Sequence, residues 1–324
     1  MREVGVLLAT CWVLLGCDPE NAKKTWVSVA PGALDITVTA DGRFLANVGG
    51  NKAGSQAGIA QATDDPTRPW PFVPSLLGGD LGGSSTGRPF SRAMGRVFVA
   101  RSGTWEELQQ VAALSELVAV DASGAMVTRA RDGALSRLKD GVQEPIVTLD
   151  SGEVPTVAPD GRVFAVNVAT GSELWLLAGG KRTPLLGTTG CPNDSSCSRR
   201  MRLIGFDETG GVYVAIILPD RDVTTVFLLE GTTWRALPPF AQAHPDGQIS
   251  CAVSGRGAVY CQSKEDFGNK LYRLGRGATQ WSDLGGLDTV SACDIRARDD
   301  GRVALRCGAL SAQSGNSELF VSTN

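Results

Sequence analysis

Thr156-Val157-Ala158-Pro159-Asp160-Gly161-Arg162-Val163-Phe164-Ala165-Val166-Asn167-Val168 sits near the middle of the chain. An apolar start runs into Asp160-Gly161, and a basic residue then opens a β-branched and aromatic run. Asp-Gly between two such runs is a strong short-range signal for a β-hairpin, because tight turns of this kind hold a residue at positive φ. The frame recurs at 37–48, 90–101, 118–130, 205–217, 251–262 and 295–307. Its turn glycines are Gly42, Gly95, Gly124, Gly161, Gly211, Gly257 and Gly301, spaced by 53, 29, 37, 50, 46 and 44 residues.

A second pattern follows most copies: a short strand, a glycine turn and a strand carrying tryptophan. Residues 226–240 and 271–287 show it in full, and 173–187 keep the frame without the second tryptophan. Each unit therefore reads as four antiparallel strands in roughly 43 residues, which is the sequence signature of a β-propeller blade. The expected fold is all-β, a β-propeller of about seven four-stranded blades over residues 25–324. Six or eight blades remain open, because the early part is irregular. Residues 49–90 hold nine Gly and five Pro and fit no strand pattern well. The step from Gly95 to Gly124 is too short for a blade, and residues 106–114 read as a helical turn.

Residues 157–162 resemble the Pro-Asp-Gly repeat of WD40-like, TolB-type propellers. That resemblance implies the fold and leaves function open. The ends of the chain fit a closed ring. The last unit has its hairpin at 293–307 and a third strand from Glu318 to Val321, but no tryptophan strand. Lys24-Thr25-Trp26 mirrors Thr232-Thr233-Trp234, so Trp26 and its neighbours are expected to supply the missing strand and close the ring. Closure removes exposed sheet edges. Trp26, Trp105, Trp234 and Trp281 are read as packing between blades.

The N-terminus reads as an address. Val4 to Leu15 is an uncharged, mostly apolar run. It is too short to span a hydrocarbon core of ~30 Å and suits the core of an export signal. It ends in Leu14-Leu15-Gly16-Cys17, which resembles the lipobox of bacterial lipoproteins. The resemblance implies cleavage before Cys17, acylation of that residue, and a chain held at a membrane by lipid alone. The expected organisation is a signal peptide at 1–16, a lipidated cysteine and short tether at 17–24, and the propeller at 25–324. Asp18 favours the inner membrane by the enterobacterial sorting rule, while membrane and leaflet stay open.

Six cysteines remain beyond Cys11 and Cys17. A turn at Ser254-Gly255-Arg256-Gly257 sets Val253 against Ala258 and Cys251 against Cys261. A turn near Asp300 sets Cys293 against Cys307, and Cys191 and Cys197 bracket a polar loop that a third bridge would close. Directly opposed strand residues come within disulfide range, and an exported chain meets an oxidising compartment. Zinc is disfavoured, because there is no C-x-x-C pair and one histidine, His244.

Composition excludes more than it identifies. The 324 residues carry 31 basic and 34 acidic side chains, a net charge of −3, which offers no footprint for nucleic acid. Gly83-Ser84-Ser85-Thr86-Gly87 matches G-x-S-x-G by letter but lacks the strand before it and the helix after it. His244 reads as a turn residue. Asp64-Asp65, Asp207-Glu208 and Asp299-Asp300 are acidic turns without the alternation of a calcium loop. Ser198-Arg199-Arg200-Met201-Arg202 is a basic cluster read as a solvated loop. No phosphate-binding motif occurs, so no cofactor and no metal are expected.

The leading expectation is a monomeric, non-catalytic, lipid-anchored propeller of the bacterial envelope, periplasmic or surface-facing. It presents loops to a protein or glycan partner, with 49–90 as the recognition loop. The alternative is a propeller hydrolase or lyase using carboxylates at the central channel, where Asp220 and Asp222 are candidate loop acids. A purely structural role is the third.

Overall fold

The quoted stretch folds as a hairpin. Glu153–Val157 and Val163–Asn167 pair antiparallel, with Val157 opposite Val163 and Glu153 opposite Asn167. The turn between them is closed by Ala158 N to Arg162 O at 2.8 Å and Gly161 N to Ala158 O at 2.9 Å. Gly161 holds φ at 86°, and a Cβ there would meet Asp121 Oδ2 of the neighbouring turn at 3.0 Å. Glycine is needed here twice over, for its backbone conformation and for the close approach of the next hairpin.

The molecule is seen in a computed structural model. It describes residues 23–39, 42–49, 57–82, 88–93, 96–101, 104–108, 116–167, 173–186, 200–218, 223–241, 249–265, 268–287, 293–308 and 317–323. Blade 1 is β2 (Ala33–Val38), β3 (Phe44–Val48), β4 (Gly58–Gln61) and β5 (Phe72–Leu77), preceded in the chain by β1 (Trp26–Pro31). Blade 2 is β6 (Asp80–Gly82), β7 (Phe90–Ala93), β8 (Arg96–Arg101) and β9 (Thr104–Leu108). Blade 3 is β10 (Glu116–Val120), β11 (Met126–Arg129), β12 (Ala134–Lys139) and β13 (Val142–Thr148). Blade 4 is β14 (Glu153–Val157), β15 (Val163–Asn167), β16 (Leu174–Ala178) and β17 (Lys181–Leu186).

Blade 5 is β18 (Arg200–Phe206), β19 (Val212–Leu218), β20 (Val223–Glu230) and β21 (Thr233–Ala236), with β22 (Phe240–Ala241) also pairing with β20. Blade 6 is β23 (Ser250–Val253), β24 (Val259–Glu265), β25 (Gly268–Leu274) and β26 (Ser282–Leu287). Blade 7 is β27 (Cys293–Ala297), β28 (Val303–Cys307), β29 (Glu318–Ser322) and, outermost, β1 (Trp26–Pro31). The fold is a seven-bladed β-propeller, and the described residues contain no helix.

The N-terminal strand closes the ring. Trp26 faces Ser322 and Pro31 faces Glu318. The chain just before it docks sideways on blade 6, through Lys24 N to Leu284 O at 2.7 Å.

Apolar clusters fill the spaces between blades. One joins Ile36, Phe44 and Ala46 of blade 1 to Val29, Ala304, Leu319 and Val321 of blade 7. The outer-strand tryptophans bridge in one rotational sense. Trp105 Nε1 donates to Gln61 Oε1 at 3.4 Å, Trp234 Nε1 to Leu185 O at 2.9 Å and Trp281 Nε1 to Pro238 O at 3.0 Å. Each thus reaches back to the preceding blade.

Four expectations are corrected. Gly95 was placed in the first hairpin of a blade, but 90–101 hold β7 and β8, the second and third strands of blade 2. The uneven steps of 53 and 29 come from that shift of frame, since the first two strands of blade 2 are Asp80–Gly82 and Phe90–Ala93. The described part of 49–90 is blade and not a long loop: β4, β5 and β6 lie within it, and Trp70 is 6% exposed. Thr104–Leu108 is strand where a helical turn was expected from Glu106. Arg200–Phe206 is the first strand of blade 5, so the basic cluster runs into a strand.

Disulfides join Cys251 to Cys261 and Cys293 to Cys307. Each ties the first strand of a blade to the second, with the cysteines directly opposed. The turn in blade 6 is one residue longer than expected, since Val253 faces Val259 and not Ala258. Two bridges of this kind point to a compartment outside the reducing cytoplasm. Cys191 and Cys197, like Cys17, lie outside the described residues.

Candidate functional site

First strands of neighbouring blades lie against one another, β10 with β14, β18 with β23, β23 with β27 and β27 with β2, so they surround the axis of the ring. One end of the ring carries the turns between first and second strands. The other end is the mouth, where the first strands begin.

The turn end is a seam. Arg137 Nη2 donates to Gly161 O and Arg162 Nη2 to Gly210 O. Glu208 N donates to Gly255 O at 2.9 Å and Arg256 N to Asp299 Oδ1 at 2.8 Å. Blades 3 to 7 are thereby linked turn to turn. Asp207 anchors this seam. It is fully buried and accepts from Thr209 N and Gly211 N at 2.9 Å and from Tyr213 Oη at 2.9 Å. Burial pushes its carboxyl up, but those donors and the Arg276 charge hold it below the ordinary carboxylate range. Burial, then the Asp207 charge, pushes the Tyr213 phenol well above its ordinary value. The cavity beside them, between Tyr213, Leu228 and Arg276, is about 10 Å³, room for one water.

The acidic turns are accounted for by such bonds. Asp65 accepts from Thr67 N at 3.1 Å, and the Thr67 bonds hold its carboxyl low. Asp300 accepts from Arg302 N at 3.1 Å and pairs with Arg298 at 3.0 Å. Among the described residues no three His, Cys, Asp or Glu side chains converge as a metal site.

The mouth carries an open cavity. Counting from the turns, Asp35, Glu116, Val154, Arg202, Ser250 and Asp294 occupy one level, each opposite the fourth residue of its second strand. Most are charged, and the acids are engaged separately. Glu116 pairs with Arg129 at 3.5 Å, Asp294 accepts from Arg306 Nε at 2.9 Å, and Asp35 accepts from Ile36 N at 2.7 Å. Arg202 Nη1 donates to Ile249 O at 2.8 Å. Deeper in the wall, desolvation lowers the Arg296 guanidinium against the pull of Asp35 and Asp294.

Val154 breaks the charged pattern, being apolar and 49% exposed. It borders a pocket of about 350 Å³ at the mouth, between blades 2, 3 and 4. Leu81, Phe90, Leu117, Val118 and Pro155 supply apolar walls, and Arg92, Arg129 and Glu116 supply the polar groups. Arg92 is held by Nη2 donating to Leu117 O at 2.7 Å and lies over the Phe90 ring at 5.8 Å.

None of these pocket residues was singled out from the sequence. The available signal was Val154 itself, an apolar residue at a level where the other blades carry Asp35, Glu116, Arg202 and Asp294. Reading it required the register, which only the frame of the hairpins supplies. Gly83–Gly87, Asp220, Asp222 and His244 lie outside the described residues.

No family model and no curated protein matches the chain. Among solved structures it is similar to YCF48 bound to D1 peptide, at 14% identity over 93% of this chain and 96% of that one, with a TM-score of 0.56. YCF48 from Cyanidioschyzon merolae gives 14% identity, 92% and 98% coverage and a TM-score of 0.55. Prolyl oligopeptidase B from Galerina marginata gives 11% identity over 94% of this chain and 52% of that one, with a TM-score of 0.53. At these identities the shared property is the propeller fold.

Proposed function

We propose that the protein is a non-catalytic, lipid-anchored scaffold of the bacterial envelope, and that its mouth pocket binds an extended segment of a partner protein. Acylated Cys17 is the anchor in this reading. The observation that carries the binding role is the pocket of about 350 Å³, lined about half by apolar and half by polar surface, with Arg92 and the Arg129–Glu116 pair among its walls. Such a lining suits apolar side chains flanked by an acidic one. A structural neighbour of the same fold, YCF48, is known bound to a D1 peptide, which supports a peptide ligand for this kind of ring. Among the described residues, Asp35, Glu116 and Asp294 at the mouth are each tied to an arginine or to backbone, an arrangement that suits holding charge more than acid–base work.

The test uses the full chain carrying a photo-crosslinking amino acid at Val154, or at Val142 as the control. Val142 is 61% exposed and begins β13, away from the pocket. A discrete protein adduct from position 154, absent from position 142 and lost with Arg92→Glu, is the expected result. Equal adducts from both positions, or an adduct indifferent to Arg92→Glu, would contradict the proposal.

A further inference from the structure

The mouth pocket meets the first strands of three blades on edge. Successive residues of a strand point to opposite faces, so a cavity lying on one face of a strand touches alternate residues. This one touches consecutive residues: Leu81-Gly82 of β6, Glu116-Leu117-Val118 of β10 and Val154-Pro155 of β14. Its walls there are backbone edge as much as side chain. β10 is the edge that can take a partner. It is first in the order β10-β11-β12-β13, so one side of it has no neighbour within blade 3. At the turn end Arg88 already uses that side, in an antiparallel bridge to Val120 with Arg88 N donating to Val120 O at 2.8 Å. Toward the mouth a side chain spans the gap instead, Arg92 Nη2 donating to Leu117 O at 2.7 Å. Between the two, Leu117 faces Thr128 and Ala119 faces Val127, so Val118 is a bulged residue with no counterpart on β11. β14 is the poorer edge, because Pro155 has no N–H to give, and β6 is three residues long.

We infer that the pocket holds its peptide as an added β-strand along the free edge of β10, bonded through the backbone at Leu117 and Val118 and read by alternate side chains. This rests on the reading of the pocket as a peptide site. An incoming N–H takes Leu117 O, and the Arg92 guanidinium that it displaces turns to a carboxylate of the same segment. Phe90 fixes where that happens. Arg92 lies over its ring at 5.8 Å, and a Cβ on Gly82 would run into the same ring, which therefore covers β6 and backs the guanidinium. Side chains of the segment alternate between this Phe90–Arg92 wall and Val154. In such recognition main-chain bonds supply affinity and the pockets for alternate side chains supply selectivity. The ligand is thus an extended segment with an acidic residue flanked by apolar ones.

The experiment selects peptides from a random library on the full chain with its disulfides formed. The tightest is then measured by calorimetry, unmodified and as a series with one backbone nitrogen methylated at a time. Val154→Arg, with Val142→Arg as control, reports whether the peptide occupies the pocket. Val154, Val142 and Arg92 are exposed, so these changes leave the ring folded. Binding should be lost in Val154→Arg and kept in Val142→Arg, and methylation should weaken it about tenfold at every second position and little in between. Arg92→Ala should remove discrimination between Asp and Asn in the peptide and keep that alternation. A flat methylation profile, from a peptide that Val154→Arg still excludes, would overturn the added strand and leave the peptide site standing. No selected peptide, or peptides indifferent to Val154→Arg, would remove the peptide site and the strand with it.

Discussion

Trp26 lies opposite Ser322, so the first described strand is the outer edge of the last blade. Its indole packs against the cluster formed by Tyr260, Leu271, Leu284, Ile295 and Leu305, which spans blades 6 and 7. Trp26→Ala removes that wedge as well as part of the strand's hold. We expect a loss of about 2–4 kcal/mol in a denaturant titration, below the full value for a wholly buried tryptophan. The indole Nε1 is buried without a partner, so Trp26→Phe should lose far less.

The described residues of 57–82 include core. Trp70 stacks on Phe44 with ring centroids 6.1 Å apart, and its Nε1 donates to Pro66 O at 2.8 Å. Trp70→Ala should destabilise by about 3–5 kcal/mol. Deleting 51–88 should abolish cooperative unfolding, because it removes three strands from two blades. A recognition loop would tolerate both changes, and circular dichroism melts separate the cases.

The Asp207–Tyr213 pair makes stability depend on pH at both extremes. Asp207 is held below its ordinary 3.8, so its contribution is present at neutral pH and is lost as pH falls through the folded value. Tyr213 is raised, so its contribution is present below pH ~10 and fades as pH rises beyond that. The stability gap between wild type and Asp207→Asn, read from urea midpoints, should narrow below about pH 4. In Tyr213→Phe the alkaline loss should shrink, and at pH 7 the missing donor should cost roughly 1–3 kcal/mol.

The disulfides are testable one at a time. Each closes a short loop, Cys251 to Cys261 or Cys293 to Cys307, and should contribute about 3 kcal/mol by chain-entropy reasoning. Pairwise replacement by alanine, compared with the oxidised wild type in a denaturant titration, checks the figure. Reductant should shift the wild type and leave unmoved a protein lacking both pairs in which Cys191 and Cys197 are also replaced.

Blade frame and closure were legible because they are written in local chemistry. Asp160-Gly161 demands a hairpin wherever it stands, and Trp26 repeats the setting of Trp234. Blade 2 misled because 90–101, whose letters look like those of a first hairpin, hold its second and third strands, Phe90–Ala93 and Arg96–Arg101. Proline at 66, 69, 71 and 74 masked β5, since an outermost strand tolerates proline on its free edge. The pocket was illegible because it is made by blades 2, 3 and 4 together. Leu81, Phe90 and Val154 are ordinary strand residues until the ring brings their ends to one rim.

Native-state hydrogen exchange tests ring closure most directly, since the pocket and the seam both depend on it. Amides of Trp26–Val29 should be protected alongside those of Leu319–Ser322, opening only with the whole ring. Exchange of the early strand at the rate of exposed turns, while residues 303–307 and 318–322 stay protected, would contradict closure by that strand and detach the N-terminus from blade 7.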